Sequence, residues 1–134
     1  MTEDTKQPTV LVVDDSEVCL ELARDALEEA GFRVVTTSSP LGVNRLIAQE
    51  RPAVVVLDVS MPALEGNKLA EVVQRHQGAP VPILLHSDRS VDELRELAKG
   101  AGIADYVEKS DDGQALVRMV RLHAGRRSRA RERP

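Results

Sequence analysis

Five short apolar runs recur along the chain: TVLVV at 9–13, RVVTT at 33–37, AVVVL at 53–57, VPILLH at 81–86 and ADYV at 104–107. Most are unbroken rather than alternating, and a strand apolar on both faces is expected where helices cover both sides of a parallel sheet. Between the runs the apolar spacing lengthens to that of a helix. Cys19, Leu22, Ala23, Ala26, Leu27 and Ala30 fall on one face, with Ser16 placed to cap the start and Gly31 the end. Ser39-Pro40 predicts an N-cap and first-turn proline for a helix carrying Leu46 and Ile47 and stopping before Pro52. A third helix is predicted after Gly66 through Leu69, Ala70, Val72 and Val73. A fourth opens on the capping box Ser90 to Glu93 and carries Leu94, Leu97 and Ala98. The fifth starts near Asp111 and presents Leu116, Val117 and Val120.

Strand and helix thus alternate five times, which predicts an α/β fold with a doubly wound five-stranded parallel sheet and right-handed crossovers. In such sheets ligands sit beyond the carboxyl ends of the strands. No internal repeat interrupts the pattern.

At 134 residues the chain suits one domain, expected over 1–124 and followed by a basic, disordered tail over 125–134. That tail carries five arginines against Glu132, a net +4, which leaves −8 for the rest of a chain whose total is −4. With no aromatic residue interleaved for stacking, it reads as a solvated end, and no direct DNA binding is expected. The polar start MTEDTKQP does not read as a signal peptide, and no apolar stretch is long enough for a membrane span. The single cysteine, Cys19, cannot form an internal disulfide and reads as a small core residue of a cytoplasmic protein.

The chemistry gathers at the carboxyl edge. Asp14 and Asp15 follow the first run, Asp58 the third and Ser87 the fourth, and Lys109 comes just after the fifth. Singly, each has an ordinary structural explanation: an acidic pair complements a helix start, an Asp after a strand opens a turn, and a Lys is solvated. Together they stand on one edge of one sheet. Three carboxylates in a crevice repel one another and favour a hard divalent cation such as Mg²⁺, which takes oxygen ligands and keeps several waters. Adding a hydroxyl and an ammonium makes the set suited to phosphoryl transfer. Asp58 would be the nucleophile forming an acyl phosphate, Mg²⁺ and Lys109 would neutralise the phosphoryl oxygens, and Ser87 would donate a hydrogen bond to one of them. No glycine-rich phosphate-cradling loop points to a nucleotide substrate.

These residues stand in VVDDS, VVVLDVSMPALEG, LLHS and DYVEKS. In that order and spacing they resemble the receiver domain of bacterial two-component response regulators over residues 8–124, of the stand-alone chemotaxis-regulator kind. The resemblance implies a (βα)5 flavodoxin-like receiver fold in which Asp58 accepts phosphate from a sensor histidine kinase or phosphotransfer protein. It further implies that Asp15, Asp58 and the Ser60 backbone carbonyl ligate Mg²⁺, with Asp14 acting directly or through water, and that Lys109 bridges to the acidic cluster. Ser87 and Tyr106 would form the switch, Ser87 moving toward the phosphate and Tyr106 turning into the space vacated. The surface of the fourth helix, fifth strand and fifth helix, residues 90–124, would carry the change to a downstream protein. The protein would be a phosphoacceptor rather than an enzyme, at most catalysing its own phosphorylation and dephosphorylation, and a monomer or weak homodimer with no output domain of its own.

The chain also departs from the pattern. Ser110 stands where the family usually has a cis proline, Asp88 where it has a small residue, and Glu65 where it has Asp. Ser60 and Arg89 occupy the positions that tune self-dephosphorylation and are not water-positioning groups, which implies a comparatively long-lived phosphorylated state. Asp88 and Ser110 lend some weight to an alternative, a protein-interaction module that works without phosphorylation. An aspartyl phosphatase of the haloacid-dehalogenase type fits poorly, because the general-acid position two residues after Asp58 holds Ser60.

Overall fold

The computed structural model describes residues 7–39, 41–58, 81–98, 103, 105–110 and 112–132, with 97, 98 and 126–132 described by backbone alone. Its elements are β1 (Thr9–Val13), α1 (Glu17–Glu29), β2 (Arg33–Thr37), α2 (Val43–Glu50), β3 (Val54–Leu57), β4 (Ile83–Ser87), α3 (Val91–Ala98), β5 (Asp105–Glu108) and α4 (Gln114–Glu132). The third predicted helix lies outside the described residues.

All five strands run parallel in the order β2-β1-β3-β4-β5. The unbroken apolar runs serve two cores at once, because successive side chains leave a strand on opposite faces. Val10, Val12, Val54, Val56, Leu84 and Val107 face α1 and α4, packing with Ala23, Leu27, Leu116, Val117 and Val120. Leu11, Val13, Val55, Leu57, Ile83 and Leu85 face α2 and α3, packing with Val43, Ile47 and Leu94.

Local signals act largely as the sequence predicts. Ser16 Oγ accepts the Cys19 amide at 3.2 Å, and α1 ends at Ala30 before Gly31 at φ +100°. The reciprocal bonds of the capping box are both made, Ser90 N–H to Glu93 Oε1 and Glu93 N–H to Ser90 Oγ, each 3.2 Å.

Two expectations are corrected. Ser39 does not cap α2: its Oγ accepts the Leu41 amide at 3.1 Å, closing a turn, and the helix begins only after Gly42 at φ +87°. On α1 the buried face runs through Leu20, Ala23 and Leu27, which leaves Leu22 half-exposed, about one residue's rotation off the sheet. The backbone of α4 extends to Glu132. Arg and Ala are strong helix formers, and cations suit the negative end of a helix dipole.

Candidate functional site

Strand register builds the site. Val13 pairs with Leu57, so the residues that follow them, Asp14 and Asp58, emerge side by side at the carboxyl edge. The Asp58 amide donates to the Val13 carbonyl at 3.0 Å and the Asp14 amide to the Thr37 carbonyl at 3.2 Å, which fixes both backbones. On the other side Ser87 pairs with Glu108, and the Lys109 amide donates to the Ser87 carbonyl at 2.8 Å, setting the lysine just beyond the sheet.

Asp14 and Asp58 are buried, at 2% and 3% exposure, whereas Asp15 is exposed. Lys109 Nζ lies 2.9 Å from Asp14 Oδ2 and 3.3 Å from Asp58 Oδ2. Burial raises the Asp14 carboxyl above its ordinary value, opposed by the hydrogen bonds from Lys109 and the Ser16 amide. For Lys109, burial works to lower the pKa, but the hydrogen bond to Asp14 and the charges of Asp58 and Asp14 outweigh it, and the ammonium is held charged well above the ordinary lysine range.

Asp14, Asp15 and Asp58 each offer a carboxylate oxygen, all within 4.8 Å of one another. Lys109 sets one positive charge against these three negative ones. An oxygen-only donor set with that excess of negative charge fits a hard divalent cation. Ser60, the expected carbonyl ligand, lies outside the described residues.

Ser87 is fully buried, its Oγ accepting the Arg89 amide at 3.2 Å. It points to the α2 and α3 side of the sheet, the same side as Tyr106, whose ring is half-buried against the second core. The Tyr106 hydroxyl accepts a hydrogen bond from Arg95 Nε of α3 at 3.1 Å, a partner the sequence does not reveal. Arg95 also pairs with Asp92 at 3.1 Å.

Two further residues join from the opposite face. Cys19 is not a core residue; it is partly exposed, with its Sγ 3.4 Å from Lys109 Nζ. His86 points toward α1 and α4 and is buried, which, with the Lys109 charge, lowers its imidazole to about 4 and keeps it neutral at pH 7. Neither carries a local signal: Cys19 meets Lys109 across 90 positions of chain.

Comparison with known proteins identifies the family. The family model described as the response regulator receiver domain matches residues 10–121. The transcriptional regulatory protein CseB of Streptomyces coelicolor is 36% identical over 127 residues, covering 89% of this chain and 53% of CseB. An uncharacterized 14.6 kDa protein of Leptolyngbya boryana is 31% identical, with 87% of this chain and 90% of that protein covered. The chain spans about half the length of the transcriptional regulators it matches. Among solved structures, the signal receiver domain of an HD domain-containing protein from Pseudomonas fluorescens Pf-5 superposes with a TM-score of 0.80 at 23% identity, covering 100% of this chain and 98% of that one.

Proposed function

The chain belongs to the response regulator receiver domain family of two-component systems, and on that premise we propose that it is a phosphorylation switch with Asp58 as phosphoacceptor. The observation that carries this is the position of Lys109 Nζ between Asp14 and Asp58, within a cluster of three carboxylates.

In the reaction an Asp58 carboxylate oxygen attacks the phosphorus of a phosphohistidine on a sensor histidine kinase or phosphotransfer protein. The P–N bond breaks, its electron pair stays on the imidazole, and an acyl phosphate forms on Asp58. Asp14, Asp15, Asp58 and the Ser60 carbonyl would hold Mg²⁺, which supplies charge neutralisation to the phosphoryl oxygens. Lys109 turns from Asp14 toward the new dianion while keeping its hold at Asp58. Ser87 gives up the Arg89 amide and donates to a phosphoryl oxygen. Tyr106 then moves into the space that Ser87 vacates, which changes the surface of α3, β5 and the start of α4 for a downstream protein. The protein acts on itself and turns over no separate substrate.

No described helix is long and apolar enough to cross a membrane. CseB and similar relatives are named as transcriptional regulators and are about twice as long as the matched segment. A DNA-binding partner or segment downstream of this switch is therefore as consistent with the family as a separate protein target.

The test is intact-mass measurement after incubation with Mg²⁺ and acetyl phosphate, with Asp58→Asn as control. An adduct that requires the metal and Asp58 supports the switch. Folded protein that takes no phosphate from acetyl phosphate or phosphoramidate would favour the phosphorylation-independent module, and Asp88→Ala would then be the first variant to make.

A further inference from the structure

Lys109 faces the acidic cluster on one side and a cavity of about 310 Å³ on the other. Cys19, His86 and Lys109 form its walls, and the exposed Leu22, Asp88 and Ser110 stand at its mouth. Two of the wall groups have no part in the phosphoryl chemistry. His86 is 8% exposed, and among the described residues no hydrogen bond or ion pair reaches its ring. A neutral imidazole so placed offers an entering group one donor and one acceptor. Cys19 is partly exposed, with its sulfur 3.4 Å from an ammonium. The sulfur lines the cavity, within reach of a reagent that enters it, and thiol–disulfide exchange needs such access.

We infer that Cys19 is a modification site for small disulfides, the cavity receiving the substituent and the adduct loosening Lys109 from Asp58. In the exchange the Cys19 thiolate, its proton lost to solvent, attacks one sulfur of a disulfide RS–SR. A Cys19–S–SR bond forms and the RS–SR bond breaks. The thiolate RS⁻ leaves with the electron pair and takes a proton from water, so Cys19 is oxidised and the reagent reduced. The new substituent occupies the space on the cavity side of Lys109 and competes for its ammonium. The consequence for signalling rests on the phosphoacceptor role of Asp58: the modified protein captures phosphate poorly until the mixed disulfide is reduced, which ties the switch to the thiol redox state of its surroundings.

The full chain is treated with bis(2-hydroxyethyl) disulfide under native conditions, and the adduct is located by peptide mass, with Cys19→Ala as the blank. Alanine suits a helix interior, and the reagent leaves this variant's own rate of phosphate loading unchanged. Expected are one adduct, on Cys19, and phosphate loading from acetyl phosphate slowed about tenfold or more, the scale of weakening one charged donor at a reacting oxyanion. Dithiothreitol restores the rate. The displacement of Lys109 is read separately, by several-fold faster acylation of its amine in the adduct. A native thiol that stays unmodified while the urea-unfolded chain reacts overturns the site. An adduct that leaves Lys109 acylation unchanged overturns the coupling. Untreated protein that never loads phosphate refutes the phosphoacceptor role alone, and the adduct and acylation readouts still decide the inference.

Discussion

Lys109 Nζ lies 2.9 Å from Asp14 Oδ2 although their strands, β5 and β1, are separated by β3 and β4. The lysine reaches across the ends of both intervening strands, passing 3.3 Å from Asp58 on the way. It is therefore a structural counter-ion as well as a candidate for phosphoryl contact. Lys109→Met leaves two buried carboxylates facing each other without it. In Mg²⁺-free buffer the variant should lose about 2–3 kcal/mol in urea unfolding, below the usual figure for breaking a fully buried pair because the lysine is 16% exposed. Added Mg²⁺ should restore more stability to the variant than to the parent, since the metal then supplies positive charge in place of the missing ammonium. Equal stability in the absence of metal would mean that water already screens the carboxylates.

His86 makes the fold sensitive to acid. Its imidazole falls from the ordinary 6.5 to about 4, by burial first and then by the Lys109 charge. A depressed folded pKa means that the unfolded chain binds the proton more readily. The stability associated with neutral His86 is present above pH 6.5 and is lost as the pH falls toward 4, on the order of 3 kcal/mol across that window. His86→Leu should flatten the stability profile between pH 6.5 and 4. A profile as steep as the parent's would assign the acid sensitivity to other groups.

Gly113, just before α4, has φ +70°, and a Cβ added there would lie 2.9 Å from the Ala26 side chain on α1. Left-handed strain and steric overlap then act together. Gly113→Ala should lower unfolding stability by about 1–3 kcal/mol, read as a lower denaturant midpoint with an unchanged slope. A cost of a few tenths of a kcal/mol would show that α1 and α4 can separate freely at this point.

These residues mark what the sequence makes legible. The bounds of β1 and β2 follow from apolar runs that end on charged or polar residues, and the Asp14, Asp58, Ser87 and Lys109 cluster follows from each lying next to a strand end, a purely local signal that the parallel topology turns into proximity. The third helix and the Ser60 loop lie outside the described residues and stay expectations. Cys19 escapes a sequence reading because its neighbour is 90 positions away and is fixed only by how α1 packs beside the start of α4. The turn at Ser39 misleads because the same hydroxyl that can cap a helix can close a turn two residues on.

Tyr106 offers the most direct test of the switch, because the chain contains one tyrosine and no tryptophan. Intrinsic emission therefore reports on a single ring. That ring is half-buried on the second core, and its hydroxyl is bonded to Arg95 on α3. Turning inward requires that bond to break, so Arg95 opposes the switch and biases the equilibrium toward the outward ring. Acetyl phosphate with Mg²⁺ should shift the emission of the parent and leave that of Asp58→Asn unchanged. Arg95→Ala, which leaves the acidic cluster untouched, should move the unphosphorylated emission part of the way to the phosphorylated value and bring the response to completion at lower phosphodonor concentration. If the parent accepts phosphate while Tyr106 emission stays constant, the ring is a fixed part of the core, and the signal reaches the α3 surface through Ser87 and the backbone of β4 instead.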